Sequence, residues 1–281
     1  MVFQLMTAIR EARTFLFVPG NRPDRFTKAM VSAADVVVFD LEDSVPPQDK
    51  MSARTAIADV LPELCGRRAA AIRVNSLCGS LGQDDLEWLA SCGKEVAVMV
   101  PKADSSTQLM AVHARLPDCP LLPLIESADG YAALNEVAGV SGVARLVLGT
   151  VDFIVDLGMQ CDMQETQLTP LRFATTVASR RFGLSAPVDG VTLDIIDGER
   201  LRQDTLRALQ FGFGAKLCIH PTQIEIVHEA LAPTQSELEW ARRVVELDQR
   251  NGGAAVQMDG RMIDAPVVAQ ARCLLSRAYR S

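Results

Sequence analysis

The chain has 281 residues, 48% hydrophobic and 22% charged, a length that fits one large α/β barrel or two small domains and an apolar share that excludes global disorder. Lys+Arg 28 against Asp+Glu 35 gives a net charge of −7, and no basic cluster interrupts the acidic balance, so a nucleic-acid footprint is excluded. The seven cysteines, Cys65, Cys78, Cys92, Cys119, Cys161, Cys218 and Cys273, are scattered and never spaced Cys-x-x-Cys, which argues against a disulfide framework or zinc knuckle and for a reducing cytosol. No secretory leader is read in MVFQLMTAIREAR, and no apolar run reaches the ~20 residues of a membrane span.

Eight short apolar runs follow one another: TFLFV (14–18), VVVFDL (36–41), AAAIRV (69–74), EVAVMV (95–100), LLPLI (121–125), RLVLG (145–149), APVDGV (186–191) and AKLCI (215–219). They are near-continuous rather than alternating, as parallel strands covered on both faces are. Helical spacing fills the gaps at 23–32, 49–61, 84–91, 105–116, 130–138, 169–182 and 204–212. Eight βα units in this length predict a (β/α)8 TIM barrel over residues 1–230 rather than a doubly wound sheet. The seventh strand, interrupted by Pro187 and Gly190, is the least regular. From Pro221 the pattern is helical, at 223–230, 236–251 and again from Ala265, with NGGAAVQMDGRMID between the last two reading as a small ribbon or lid hinge. Residues 231–281 are therefore expected to form a C-terminal helical lid extension.

In such barrels the active site lies at the carboxyl ends of the strands. Those positions here are polar: Asn21, Arg22 and Arg25 after the first strand, Asp40, Glu42 and Asp43 around the second, then Arg73, Asn75, Lys102, Glu126, Asp152, Asp189 and His220. Glu126 and Asp152 end consecutive strands, whose ~4.8 Å spacing lets two carboxylates share one ion; without His or Cys nearby, that ion is Mg2+, which leaves positions for the oxygens of a 2-oxo acid. The competing explanation is that both acids cap helices. Arg73, inside an apolar run, needs an anion or a paired carboxylate, and the DLED acids offer one; Glu42 and its neighbours could position Arg73, hold metal-bound water or act as a base. FVPGNRPDRF joins a strand end to a helix start, so Pro19, Gly20 and Asn21 with Arg22 and Arg25 form a candidate anion face, though a ligand-free helix start would look the same. Lys102 and Lys216 raise Schiff-base chemistry, but neither reads as a buried mid-strand lysine. His113 and His228 fall on amphipathic helices as surface or packing residues.

Taken together, LFVPGNRPDRFTKA, VVVFDLEDSVPPQDK, IRVN, VPKAD, LIESADG, GTVDFIVDLG and FGFGAKLCIHPTQI resemble the citrate lyase β-subunit-like family of HpcH/HpaI aldolases over nearly the whole chain. The resemblance implies a TIM barrel acting on acyl-CoA thioesters with Mg2+ held by Glu126 and Asp152, Arg73 binding substrate and supporting an enolate, and PGNRPDR forming part of a CoA-binding face. MDGRMIDAPVVAQA further resembles the C-terminal lid of malyl-CoA and citramalyl-CoA lyases. It implies a homotrimer or hexamer in which Asp264 reaches a neighbouring subunit's site and handles the proton at the acetyl carbon; taken alone, Asp264 is a turn residue before the last helix. Ser127 departs from the usual threonine, and Val151, Ile154 and Val155 from the commoner small residues. The expected reaction is cleavage of a small 3-hydroxyacyl-CoA to acetyl-CoA and pyruvate or glyoxylate, with thioester hydrolysis and non-catalytic CoA-ester binding as competing readings.

Overall fold

The computed structural model describes residues 2–64, 68–92 and 95–278, so that Cys65 lies outside the described residues. Cys78, Cys119, Cys161, Cys218 and Cys273 are free thiols. Among the described residues no helix is long and apolar enough to cross a membrane.

The elements run in the order α1 (Val2–Glu11), β1 (Thr14–Pro19), α2 (Pro23–Val31), β2 (Val36–Asp40), α3 (Lys50–Leu64), β3 (Ala69–Arg73), α4 (Ser80–Cys92), β4 (Ala97–Val100) and α5 (Ser106–Arg115). They continue with β5 (Leu121–Ile125), α6 (Ala128–Ala132), α7 (Leu134–Ala138), β6 (Val147–Leu148), α8 (Thr150–Asp156), α9 (Thr169–Arg181), β7 (Val188–Asp189), α10 (Gly198–Gln210), β8 (Ala215–Cys218) and α11 (Gln223–Leu231). Last come α12 (Gln235–Arg250), β9 (Val256–Met258), β10 (Arg261–Ile263) and α13 (Ala265–Ala278). Strands β1 to β8 pair in parallel, in chain order, and β8 returns to β1, which closes the barrel. All eight expected strands are present. The chain divides into two compact units, Met1–Ala230 and Leu231–Ser281.

Inside the barrel, large and small side chains interleave: Phe15, Met99, Leu122 and Leu217 meet Ala71, Ala97 and Ala215, so the lumen is filled rather than hollow. Intervening residues such as Val37, Phe39, Ile72 and Val98 are buried as well, so the strands read as unbroken apolar runs. Strand β7 is only two residues long. Pro187 before it has no N–H to donate, and after it Gly190 lies so close to the β6–α8 loop that a Cβ there would stand 2.3 Å from Thr150 Oγ1. The helix expected at 130–138 is instead the pair α6 and α7, the first capped by Ser127, whose Oγ accepts from Gly130 N at 3.0 Å. Helix α10 starts six residues before the expected Asp204, because Asp197 caps it by accepting from Arg200 N at 2.9 Å.

Helix α1 lacks an expectation altogether. Its Leu5 and Ile9 join the lumen cluster at the end where the strands begin, stoppering the barrel. Arg145, 1% exposed, fastens it: Nη1 donates to Ala12 O at 2.5 Å and Ile9 O at 3.3 Å, and Nε to Ala186 O at 2.7 Å.

In the second unit, α12 opens with a capping box, Thr234 and Glu237 each accepting from the other's backbone N–H. Ala241, Val244, Val268 and Ala271 form its core with Ile263 of the ribbon. Strands β9 and β10 are antiparallel and joined through Asp259 and Gly260 at φ 53° and 78°, the left-handed pair a two-residue hairpin demands.

Replacing Arg145 with Met would leave three buried carbonyls without this donor. Urea denaturation is expected to show a loss of roughly 2–4 kcal/mol with an unchanged m-value.

Candidate active site

The carboxyl ends of the strands surround a cavity of about 580 Å3. Its polar wall begins with a register: Asp40 at the end of β2 lies beside Arg73 at the end of β3. Arg73 Nε and Nη2 donate to the two Asp40 oxygens, each at 2.7 Å, a bidentate pair that fixes the guanidinium plane. The same plane lies over the Phe17 ring, 4.9 Å from its centroid. Nη1 stands 3.0 Å from Glu42 Oε2, close enough for charge attraction but without hydrogen-bond alignment, so this buried carboxylate oxygen has no hydrogen bond. Burial acts to raise the Asp40 carboxyl, and its hydrogen bonds from Arg73 and that cation's charge outweigh it, leaving Asp40 below the ordinary range.

The DLED loop is held from beneath. Lys50 Nζ donates to Leu41 O and Glu42 O, both at 2.6 Å. A lysine opening a helix is unfavourable to the helix dipole, and that oddity was the available signal that Lys50 answers to another partner. Glu42, buried, facing Arg73 but repelled by Asp43 and Asp40, has its pKa pushed up to about 7.

Glu126, 3% exposed, follows β5. Its Oε1 accepts from Lys102 N at 2.8 Å, a bond aimed by a left-handed Lys102 backbone at φ 45°, which is strained for a residue with a side chain. On its other side Gly149 is so close that a Cβ there would lie 2.4 Å from Glu126 Oε2. Burial above all, then repulsion by Glu42 and Asp152, lifts the Glu126 pKa to about 8 against the Lys102 N–H and Arg73.

Asp152 lines the same cavity from the first turn of α8. Neither acid is used as a helix cap: α8 has no side-chain cap, and Ser127, not Glu126, caps α6. Among the described residues Asp152 makes no hydrogen bond, and no three His, Cys, Asp or Glu side chains converge to hold a metal by themselves. Two mutually repelling carboxylates, one buried with a strongly raised pKa, fit a hard cation that takes one or two protein carboxylates and completes its shell with water and substrate oxygens.

The anion face separates into two sets. Arg25 lines the cavity, and so does Lys28, which sequence reasoning missed although it sits three residues on along the same helix face. Pro19 also lines it, and the adjoining Gly20 N donates to Asp40 O at 2.8 Å. Arg22 instead folds back on Asp24 with bonds of 2.9 and 2.7 Å, and Asn21 Nδ2 donates to Asp49 Oδ2 at 3.0 Å; neither lines the cavity. His220 does, with Nδ1 2.7 Å from Thr222 Oγ1.

Asp189 and Lys216 differ from expectation. Lys216 is buried within β8, and its Nζ is held by Asp189 Oδ2 at 3.1 Å and Gly190 O at 2.8 Å. Asp189 also accepts from Arg172 Nε at 3.1 Å, so both residues brace β7 against β8 and α9. Asp264 lies in the second unit, where its Oδ1 accepts from Val267 N at 3.3 Å at the start of α13.

A family model described as HpcH/HpaI aldolase/citrate lyase matches residues 13–221. The chain belongs to that family. A second model, a C–C bond lyase of the TIM-barrel fold, matches residues 171–280 of this family member. A citrate lyase subunit β-like protein of Mycobacterium tuberculosis is 35% identical over 94% of each chain. The (3S)-malyl-CoA thioesterase of Cereibacter sphaeroides is 32% identical over 95% of this chain and 94% of its own. Among solved structures, CitE from M. tuberculosis in complex with magnesium, acetoacetate and coenzyme A superposes with a TM-score of 0.85 at 34% identity, covering 96% of this chain and 99% of that one.

The raised Glu126 pKa has a stability consequence. Folding disfavours the ionised form, so the metal-free fold loses stability as pH climbs from near the ordinary 4.5 toward about 8. Glu126→Gln removes that burden: in a chelator its melting temperature should match wild type near about pH 5 and exceed it increasingly up to about pH 8.

Proposed function

We propose that the protein is a Mg2+-dependent carbon–carbon lyase that cleaves a small 3-hydroxyacyl-CoA of the malyl-CoA or citramalyl-CoA type to acetyl-CoA and a 2-oxo acid. One observation supports this most: two acids in excess of their partners, Glu126 and Asp152, line one cavity with an arginine oriented by Asp40, and with Arg25 and Lys28. The relatives crystallised with magnesium and with coenzyme A point the same way.

Glu126 and Asp152 would hold Mg2+, which supplies Lewis-acid stabilisation of the charge on the oxygen of the departing 2-oxo acid. Arg25 and Lys28 offer cations to the phosphates of CoA. Glu42, titrating near neutrality at about 7, takes the proton of the substrate hydroxyl. As that O–H bond becomes a carbonyl, the carbon–carbon bond breaks and its electron pair passes to the thioester as an enolate. Arg73 keeps Nε and Nη2 on Asp40, leaving Nη1 to stabilise the enolate oxygen. The enolate carbon receives its proton from Asp264, a role assigned on the resemblance of the C-terminal segment, in an assembly of three or six chains. The roles of Pro19, Gly20, Asn21 and Arg22 are proposed as shaping the CoA face around Arg25.

Thioester hydrolysis is the second reading, favoured by the 32% identity to malyl-CoA thioesterases. Product analysis separates the two. With malyl-CoA or citramalyl-CoA and Mg2+, a lyase yields acetyl-CoA plus glyoxylate or pyruvate, whereas a thioesterase yields free CoA and the intact hydroxy acid. Glu126→Gln and Asp152→Asn are each expected to lower kcat on the order of a thousandfold, and wild-type turnover in either variant would refute the metal assignment.

A further inference from the structure

Ionisable side chains are unevenly distributed around the cavity. On the side of β1 to β3 stand Arg25, Lys28 and Arg73, with Asp40. On the side of β6 to β8 the wall is aliphatic, and the residues nearest the mouth are Val151, Leu193 and Ile219. These three are 36%, 66% and 38% exposed, which is a large share for aliphatic side chains facing a ligand cavity. The ionisable groups lining this half are Asp152 and His220, and the His220 Nδ1 is taken up by Thr222 Oγ1. Val151 directly precedes Asp152, so the aliphatic wall begins beside one of the two acids assigned to the metal.

We infer that the 2-oxo acid half of the substrate bears a short uncharged alkyl group that packs on Val151, Leu193 and Ile219, making this an enzyme for 2-oxo acids of the pyruvate type. The inference rests on the lyase reading above and adds to it the class of acid. Glyoxylate has only hydrogen where that group would sit, and it leaves the wall uncovered. A methyl or ethyl group there is worth tenfold or more in kcat/KM, the usual return for one carbon in an apolar pocket (~10–200-fold). Oxaloacetate brings a second carboxylate to the same wall, where it would lose water and meet no arginine or lysine from β6 to β8.

The test uses the whole chain with Mg2+ in the condensation direction, where the acetyl-CoA methyl loses a proton, its carbon bonds to the oxo carbon, and the oxo oxygen is protonated. Glyoxylate, pyruvate, 2-oxobutyrate and oxaloacetate are compared by kcat/KM, with the hydroxyacyl-CoA products resolved by mass. Pyruvate and 2-oxobutyrate are expected to exceed glyoxylate by at least about tenfold and oxaloacetate by more. Glyoxylate or oxaloacetate equal to or above pyruvate would overturn the inference while leaving the lyase reading intact. No product from any of the four acids would bring down the lyase reading, and this inference with it. Leu193→Arg, at an exposed position where folding is not at stake, gives a second readout. It should raise the oxaloacetate-to-pyruvate ratio at least about tenfold, and an unmoved ratio would show that the substituent does not touch this wall.

Discussion

Carboxylates repel, and burying them sharpens the repulsion. The barrel nevertheless brings Asp40, Glu42, Glu126 and Asp152 to one cavity because each belongs to a strand end or to the turn after it, and closure fixes where those ends lie. Arg73 neutralises one of them in full through its bidentate pair with Asp40. The remainder are left short of positive charge, which is why Glu42 and Glu126 are pushed to about 7 and about 8. A divalent cation and an anionic substrate with its own proton to lose are both answers to the same imbalance. Binding and chemistry thus draw on one stored electrostatic cost that the rest of the fold has to carry.

That cost is met by supports away from the cavity surface. Lys50 clamps the carbonyls of Leu41 and Glu42, and Lys102 accepts a strained backbone to turn its N–H to Glu126. At Gly149 and Gly190 the backbone approaches Glu126 and Thr150 more closely than any side chain would permit. The aliphatic half of the rim has no such supports, in keeping with a surface that sorts substrates by shape rather than by charge.

Most of the fold was legible in the sequence because parallel strands covered on both faces are written as unbroken apolar runs, and eight of them recur at barrel spacing. Helix α1 escaped that pattern. Its Leu5 and Ile9 lie four apart on one face, but ten residues ahead of the first strand, read for a leader, offered no hint that the barrel floor needed a stopper. At the site, Arg73, Glu126 and Asp152 were visible as charges ending apolar runs. Asp189 gave the same signal and is instead spent on Lys216 and Arg172, since one sequence cannot say which long cation will reach a given acid. Arg22 and Arg25 were likewise indistinguishable until the short return of Arg22 to Asp24 removed it from the cavity.

The stopper also bears on how the chain assembles during synthesis. The carbonyls of Ile9 and Ala12 receive Arg145 from 136 and 133 residues downstream, and Thr14 pairs with Lys216 still farther along. The first segment to leave the ribosome is thus among the last to find its neighbours. Until more than two hundred residues have followed it, an apolar helix and an unpaired strand edge travel together without cover, and that nascent interval is where a chaperone would have most to protect.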